Sequence, residues 1–216
     1  MFLYLVLVMP VQVNKSFYKN IDVSIWYIVE SEEILLSKID LTKNCKERFD
    51  SMKSNQHRKQ FLSVRNLMKK KKIDLNDLYY DSDGAPFLKS NKNISISHTN
   101  NFSAIAISHH PVGIDIQDFR SKISSIKNKF LNHSETKLFD VDSVRDLTLV
   151  WSIKEAVYKI HKKKGLSFKN NIKIHSFSND FKNSLILVDE INKKTVYKSQ
   201  NIIHSNYICS IVKSDE

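Results

Sequence analysis

Leu147-Thr148-Leu149-Val150-Trp151-Ser152-Ile153-Lys154-Glu155-Ala156-Val157-Tyr158-Lys159-Ile160-His161-Lys162-Lys163-Lys164-Gly165 is the stretch on which the fold turns. Val150, Ile153, Val157 and Ile160 recur at helical spacing, so Leu147 to Lys163 reads as one amphipathic helix with that apolar stripe. Gly165 reads as the glycine that ends it. Strand-like stretches lie before the helix (Val23 to Val29, Ile94 to His98, Phe102 to Ser108, Val112 to Gln117) and after it (Ile172 to Phe177, Leu185 to Val188, Tyr207 to Val212). They alternate apolar and polar residues or form short apolar runs between polar turns. Because the strands cluster on both sides of this helix rather than alternating with helices, the pattern is α+β and not a doubly wound parallel sheet.

Other helical stretches are Gln56 to Lys71, about Ile123 to Phe130, and Glu135 to Phe139. Glycine is informative because the chain has only three. Gly84, in DSDGAPF, reads as a turn leading into a strand. Gly113 stands inside the strand VGIDIQ, where glycine weakens pairing and marks a backbone or ligand coming close. On that strand Val112, Ile114 and Ile116 point one way, and Gly113, Asp115 and Gln117 the other. An acid and an amide thus stand about 7 Å apart on one face. That face is either the polar outside of a half-buried sheet or part of a site.

Glu155 and Lys159, spaced i, i+4, share a face of the long helix. They read either as a surface ion pair worth ~0.3–0.5 kcal/mol or as a carboxylate for a metal and an ammonium for a phosphate. His98 ends a strand at a loop mouth, and His109 and His110 read as surface residues. Arg58 and Arg65, at i and i+7, flank the Phe61, Val64 and Met68 stripe, either solvated or together gripping a phosphate. Glu135 follows Asn132 by three residues, the spacing of a variant capping box.

With 216 residues, 41% of them hydrophobic and 26% charged, the chain has the composition of one large or two small globular domains, not of a disordered segment. Cys45 and Cys209 form no CxxC or Cys/His pattern, which excludes a disulfide scaffold and a zinc site and fits a reducing cytoplasm. Met1 to Val13 is apolar but shorter than the ~20 residues a membrane span needs. It reads as a first strand, or as residues upstream of a start at Met9, and a soluble protein with no membrane partner is expected. The net charge is +11, spread over both halves: 16 Lys/Arg against 11 Asp/Glu before residue 111, and 18 against 12 after it. That balance attracts a polyanion, whether phosphate, acidic protein or nucleic acid.

The order of the pieces says more than any one of them. Gly84-Ala85-Pro86, Ile96-Ser97-His98-Thr99, Gly113-Ile114-Asp115, Trp151 to Lys159, and Gly165-Leu166-Ser167 follow one another as do the motifs of a known family. The chain, over roughly Phe49 to Phe168, resembles the larger, pseudo-dimeric 4′-phosphopantetheinyl transferases of the surfactin-synthetase-activating type. The resemblance implies two similar α+β halves, residues 1–111 and 112–216, with a coenzyme A site in the cleft between them. It implies magnesium held by Asp115, Gln117 and Glu155, and Lys159 at the pyrophosphate. Ser97 and His98 would contact coenzyme A phosphates and Arg58 its 3′-phosphate, with Glu155 or Glu135 activating the acceptor serine of an acidic acyl or peptidyl carrier protein. Gln117 stands where the family has an acid, and Ala85 where it has a lysine. A basic nucleic-acid-binding module and an inactive relative that binds coenzyme A or carrier without transferring it are the alternatives; no nucleic-acid-binding motif favours the former.

Overall fold

In the computed structural model, residues 11–18 and 20–215 are described. The expectation for Met1 to Val13 therefore lies outside them except at its last three residues. These open strand β1 (Val11–Phe17), which forms an antiparallel hairpin with β2 (Ile21–Tyr27). Helices α1 (Glu32–Ser37), α2 (Lys43–Asp50) and α3 (Asn55–Lys70) follow, opened by Ser31, Thr42 and Ser54. Each of these hydroxyls accepts the backbone N–H three residues on, which satisfies one of the free donors of a helix start. β3 (Leu78–Tyr80) and β4 (Pro86–Leu88) make a short ribbon around the turn that holds Gly84, whose φ of +81° is the left-handed conformation glycine takes most easily. β5 (Asn93–His98) and β6 (Phe102–Ser108) complete the first sheet, in the order β1-β2-β6-β5.

β7 (Val112–Asp118) begins the second part, followed by α4 (Lys122–Phe130), a 3-10 turn at Glu135–Lys137 and the long helix α5 (Val144–His161). β8 (Ile172–Phe177), β9 (Asn183–Glu190), β10 (Lys193–Ile203) and β11 (Tyr207–Ser214) close it, in a sheet of order β7-β11-β10-β9-β8. All pairings in both sheets are antiparallel. The α+β class expected from the clustering of strands is the class observed.

Each sheet buries one face under its own helix. α3 packs Leu62, Leu67 and Met68 on Trp26 and Ile105, and α5 packs Val150, Ile153 and Val157 on Ile186, Val188 and Ile208. A third core lies between the sheets, where Val23, Ile25 and Ala104 meet Ile114, Ile116, Cys209 and Ile211. The apolar face of β7 thus turns toward the first sheet, and its Gly113-Asp115-Gln117 face toward α5. Both faces are covered, and the reading of that second face as an ordinary solvated surface does not hold.

Two expectations about helix ends are corrected. α5 stops at His161 with Lys162 left-handed at φ 54°, three residues before Gly165. The stretch from Glu135 to Phe139 shrinks to the single 3-10 turn. Among the described residues no helix is long and apolar enough to cross a membrane.

Candidate active site

Gly113 is where α5 lies against β7. A Cβ there would stand 2.0 Å from the carbonyl oxygen of Ala156, so the close approach that glycine permits is made by helix backbone. The contact sets Ser152 and Lys159 over the middle of the strand. Ser152 Oγ donates to the Asp115 carbonyl at 3.1 Å, and Lys159 Nζ to the Ile114 carbonyl at 2.9 Å. Lys159 Nζ also meets Asp115 Oδ1 at 2.8 Å, Ser97 Oγ donates to the same oxygen at 2.9 Å, and Gln117 Nε2 donates to Asp115 Oδ2 at 2.8 Å. Asp115 is only 2% exposed, so this carboxylate is held from three elements.

The Glu155 side chain faces the same cluster and makes no hydrogen bond among the described residues. Burial, and then the negative charge of Asp115, pushes its carboxyl up to about 7, against the opposing pull of Lys159. His98 is shifted the other way: burial, then the positive charges of Lys159 and His57, holds its imidazole below the usual value.

Asp115, Gln117, Ser97, His98 and Lys159 line one cavity of about 570 Å3. Its opposite wall is basic, with Arg48, His57 and Arg65. The Arg65 guanidinium lies 3.4 Å from the centre of the Phe61 ring and donates to Tyr80 Oη at 3.0 Å; Arg48 lies 4.0 Å from the centre of the same Tyr80 ring. Arg65 is 4% exposed, meets no acid among the described residues, and its Nε has no partner. A buried guanidinium without a counter-ion is costly, and an anion in the cavity would remove that cost. Arg58, the arginine expected to grip phosphate, does not line the cavity. It pairs with Glu32 at 2.6 Å over the Phe49 ring. A second cavity, of about 340 Å3, shares Gly84, Pro86, Ile96 and Lys159 with the first, and its lining includes Asp81, Asp83, Tyr158 and the lysines after α5.

Glu135 is not brought to the cluster. It is fully buried, paired at 2.8 Å with Lys154, itself fully buried. Its Oε1 accepts the N–H of Ile174 at 2.7 Å and its Oε2 that of Asn132 at 3.0 Å. Asn132 Oδ1 in turn accepts the Glu135 N–H at 3.1 Å, so the expected capping box is present. With both oxygens occupied and no route to solvent, Glu135 cannot meet an incoming hydroxyl, and its expected part as a base is set aside on that ground. Lys154 also donates to the Phe130 and Phe168 carbonyls, 2.7 and 2.8 Å away, and burial pushes it down to about 8 against the pull of Glu135. The sequence held a signal for Lys154: it stands i+4 from Val150 and i−3 from Val157, on the apolar side of the helix.

The donors fit a hard divalent cation. Asp115 and Glu155 supply two carboxylates, Gln117 adds an amide, and Glu155 is raised by burial and then by the charge of Asp115, which a bound cation would offset. Among the described residues no cluster of three or more His, Cys, Asp or Glu forms. The two carboxylates Asp115 and Glu155 suit magnesium, which commonly takes one or two from the protein and fills the rest of its octahedron with phosphate and water.

The chain is similar in sequence to proteins of a known class. Residues 111–212 match the family model of the 4′-phosphopantetheinyl transferase superfamily, the family that the order of motifs resembles. A 4′-phosphopantetheinyl transferase gsp of Aneurinibacillus migulanus is 28% identical over 134 residues, 59% of this chain and 54% of that protein. The chain thus spans about half the length of the curated relative it matches.

Proposed function

We propose that this protein transfers the 4′-phosphopantetheine group of coenzyme A to a serine of an apo carrier protein, with magnesium. The observation that carries the reading is that Asp115 and Lys159, with Glu155 beside them, meet in a cavity also lined by two arginines that have no acid partner among the described residues. Coenzyme A is an anion at both ends of its nucleotide, a 3′-phosphate and a pyrophosphate. Arg48 and Arg65, with His57 and His98, suit the 3′-phosphate, a part that moves here from Arg58. Lys159 suits the pyrophosphate.

In this mechanism the acceptor serine oxygen attacks the β-phosphorus of coenzyme A. A P–O bond forms there as the bond from that phosphorus to the bridging oxygen breaks, and 3′,5′-ADP leaves with the electron pair. Glu155, beside Asp115 and Lys159, takes the serine proton. Lys159, fixed by the Ile114 carbonyl and Asp115, faces the charge that develops on the leaving phosphate. Asp115, Glu155 and Gln117 would hold the magnesium, which when bound neutralises the pyrophosphate. Burial, Lys159 and His57 hold His98 below its usual value, and a phosphate bound beside it would favour its charged form.

We read residues 1–111 and 112–216 as two related α+β halves with the active cleft between them. The sheet-plus-helix plan of each part and the cavity walls drawn from both support this reading. A net charge of +11 suits an acidic carrier, and two free, buried thiols suit a reducing cytoplasm. The test is the intact mass of an apo carrier incubated with the protein, coenzyme A and magnesium. The carrier should gain one phosphopantetheine on one serine, and only when all three are present. An unchanged carrier alongside tight binding of coenzyme A would instead identify a binding protein.

A further inference from the structure

β5 and β7 face each other as two sheet edges, and side chains close the gap between them. Ser95 Oγ accepts the Ile114 N–H at 3.0 Å, Ser97 Oγ accepts the Ile116 N–H at 3.2 Å, and Thr99 Oγ1 donates to Asp118 Oδ1 at 2.9 Å. Ser95 and Ser97 face the same way because side chains alternate along a strand, and Thr99, just past the end of β5, continues the line. Ser97 differs from Ser95 in a second bond, and it alone of the three donates to Asp115, to Oδ1 at 2.9 Å; it is 6% exposed.

A serine hydroxyl has one proton to donate. In Ser97 that proton is on Asp115, and a lone pair takes the Ile116 N–H. A phosphate oxygen only accepts, so Ser97 has no donor for it unless a buried bond to a carboxylate breaks. His98, next along the chain, has no such commitment and lines the cavity. We infer that Ser97 is a positioning residue: it acts on the reaction through Asp115, whose rotation it fixes together with Lys159 and Gln117, and not through coenzyme A. This rests on the proposed role of Asp115 as a cation ligand. Groups that orient a metal ligand in this way are commonly worth about 10–100-fold in metal affinity or activity.

The test separates metal from substrate. Mn2+ binding is followed by the electron paramagnetic resonance of the free ion, and coenzyme A binding by calorimetry in EDTA, for the full chain and its variants. Ser97→Ala should weaken Mn2+ binding about tenfold or more while coenzyme A affinity in EDTA stays within about twofold. Ser97→Thr, which keeps the hydroxyl, should restore Mn2+ binding. Ser97→Cys, close in size but a weak donor, reads the same loss if the alanine variant does not hold its fold. Ser95→Ala breaks the same seam without touching Asp115 and should leave Mn2+ binding unchanged. A loss confined to coenzyme A binding in Ser97→Ala would make Ser97 a substrate contact and overturn the inference, as would an equal loss of Mn2+ binding in Ser95→Ala. Wild-type protein that binds neither ligand would overturn the transferase reading itself, and the inference with it.

Discussion

The two carboxylates of the site differ in how they are held, and the difference gives Glu155 a measurable signature. Asp115 receives three hydrogen bonds from side chains, whereas Glu155 is desolvated next to it and raised from 4.5 to about 7. A raised folded-state pKa favours the protonated form. The stability this lends is complete below about pH 4.5 and is lost as pH rises through about 7. Once ionised in the metal-free protein, Glu155 should cost on the order of 3 kcal/mol. Glu155→Gln cannot ionise, so in EDTA its urea-unfolding stability should match wild type at pH 5 and exceed it at pH 8. A difference that does not change with pH would mean that Glu155 is already paired. At this scale Asp115, Gln117, Glu155 and Lys159 were legible because strand and helix periods set them on known faces. Arg48 was not, since a lone arginine in Lys46-Glu47-Arg48-Phe49 has no pattern that tells cavity from solvent. Arg58 was misplaced because helical spacing alone cannot show that Glu32, 26 residues earlier, would claim it.

Among elements, the junction of α4, α5 and β8 depends on one buried ion pair. Lys154 is held by two carbonyls and Glu135, and Glu135 by two amides besides, so the pair ties the turn at Glu135–Lys137 to α5 and to Ile174. Removing one partner leaves a buried, unpaired charge, which costs about 3–5 kcal/mol. Glu135→Ala should therefore lower the thermal midpoint by many degrees. Glu135→Leu combined with Lys154→Met should recover much of the loss, because replacing both charges by apolar groups is often close to neutral. If Glu135→Ala kept its thermal midpoint and lost transfer, Glu135 would have to be a catalytic group after all. The elements that the sequence showed best were those with a clean period, such as β6, β7 and α5. β10 was missed because Lys193-Lys194-Thr195-Val196-Tyr197-Lys198-Ser199-Gln200-Asn201 reads as polar. Its alternation is real, but it buries Thr195, Ser199 and Asn201 beside Tyr197, where an apolar face would be expected. α1 and α2 were missed because they are short, at six and eight residues, although their N-cap residues Ser31 and Thr42 were there to read.

Across the whole molecule, the two sheets share a core and meet edge to edge at β5 and β7, and the candidate site lies on that seam. The excess positive charge does not gather into a free stripe at its densest run. Lys69 donates to the Lys38 carbonyl, Lys70 lies 5.0 Å from the centre of the Trp26 ring, and Lys71 pairs with Asp22. The run is thus occupied by its own part of the fold, which does not favour a nucleic-acid surface there, whereas Arg48 and Arg65, which meet no acid among the described residues, line the cavity. The α+β plan was visible in the order of strands and helices. The seam was not, because contacts between Ser97 and Asp115 or between Thr99 and Asp118 join residues whose proximity no local pattern encodes. The most direct measurement is the rate of transfer to an apo carrier across a magnesium titration for wild type, Asp115→Ala and Glu155→Ala, with circular dichroism to check the fold. Each substitution should leave the fold intact and reduce transfer on the order of a hundredfold or more, since each removes one of the two carboxylates that would hold the magnesium. A fully active Asp115→Ala protein with unchanged magnesium dependence would contradict the site.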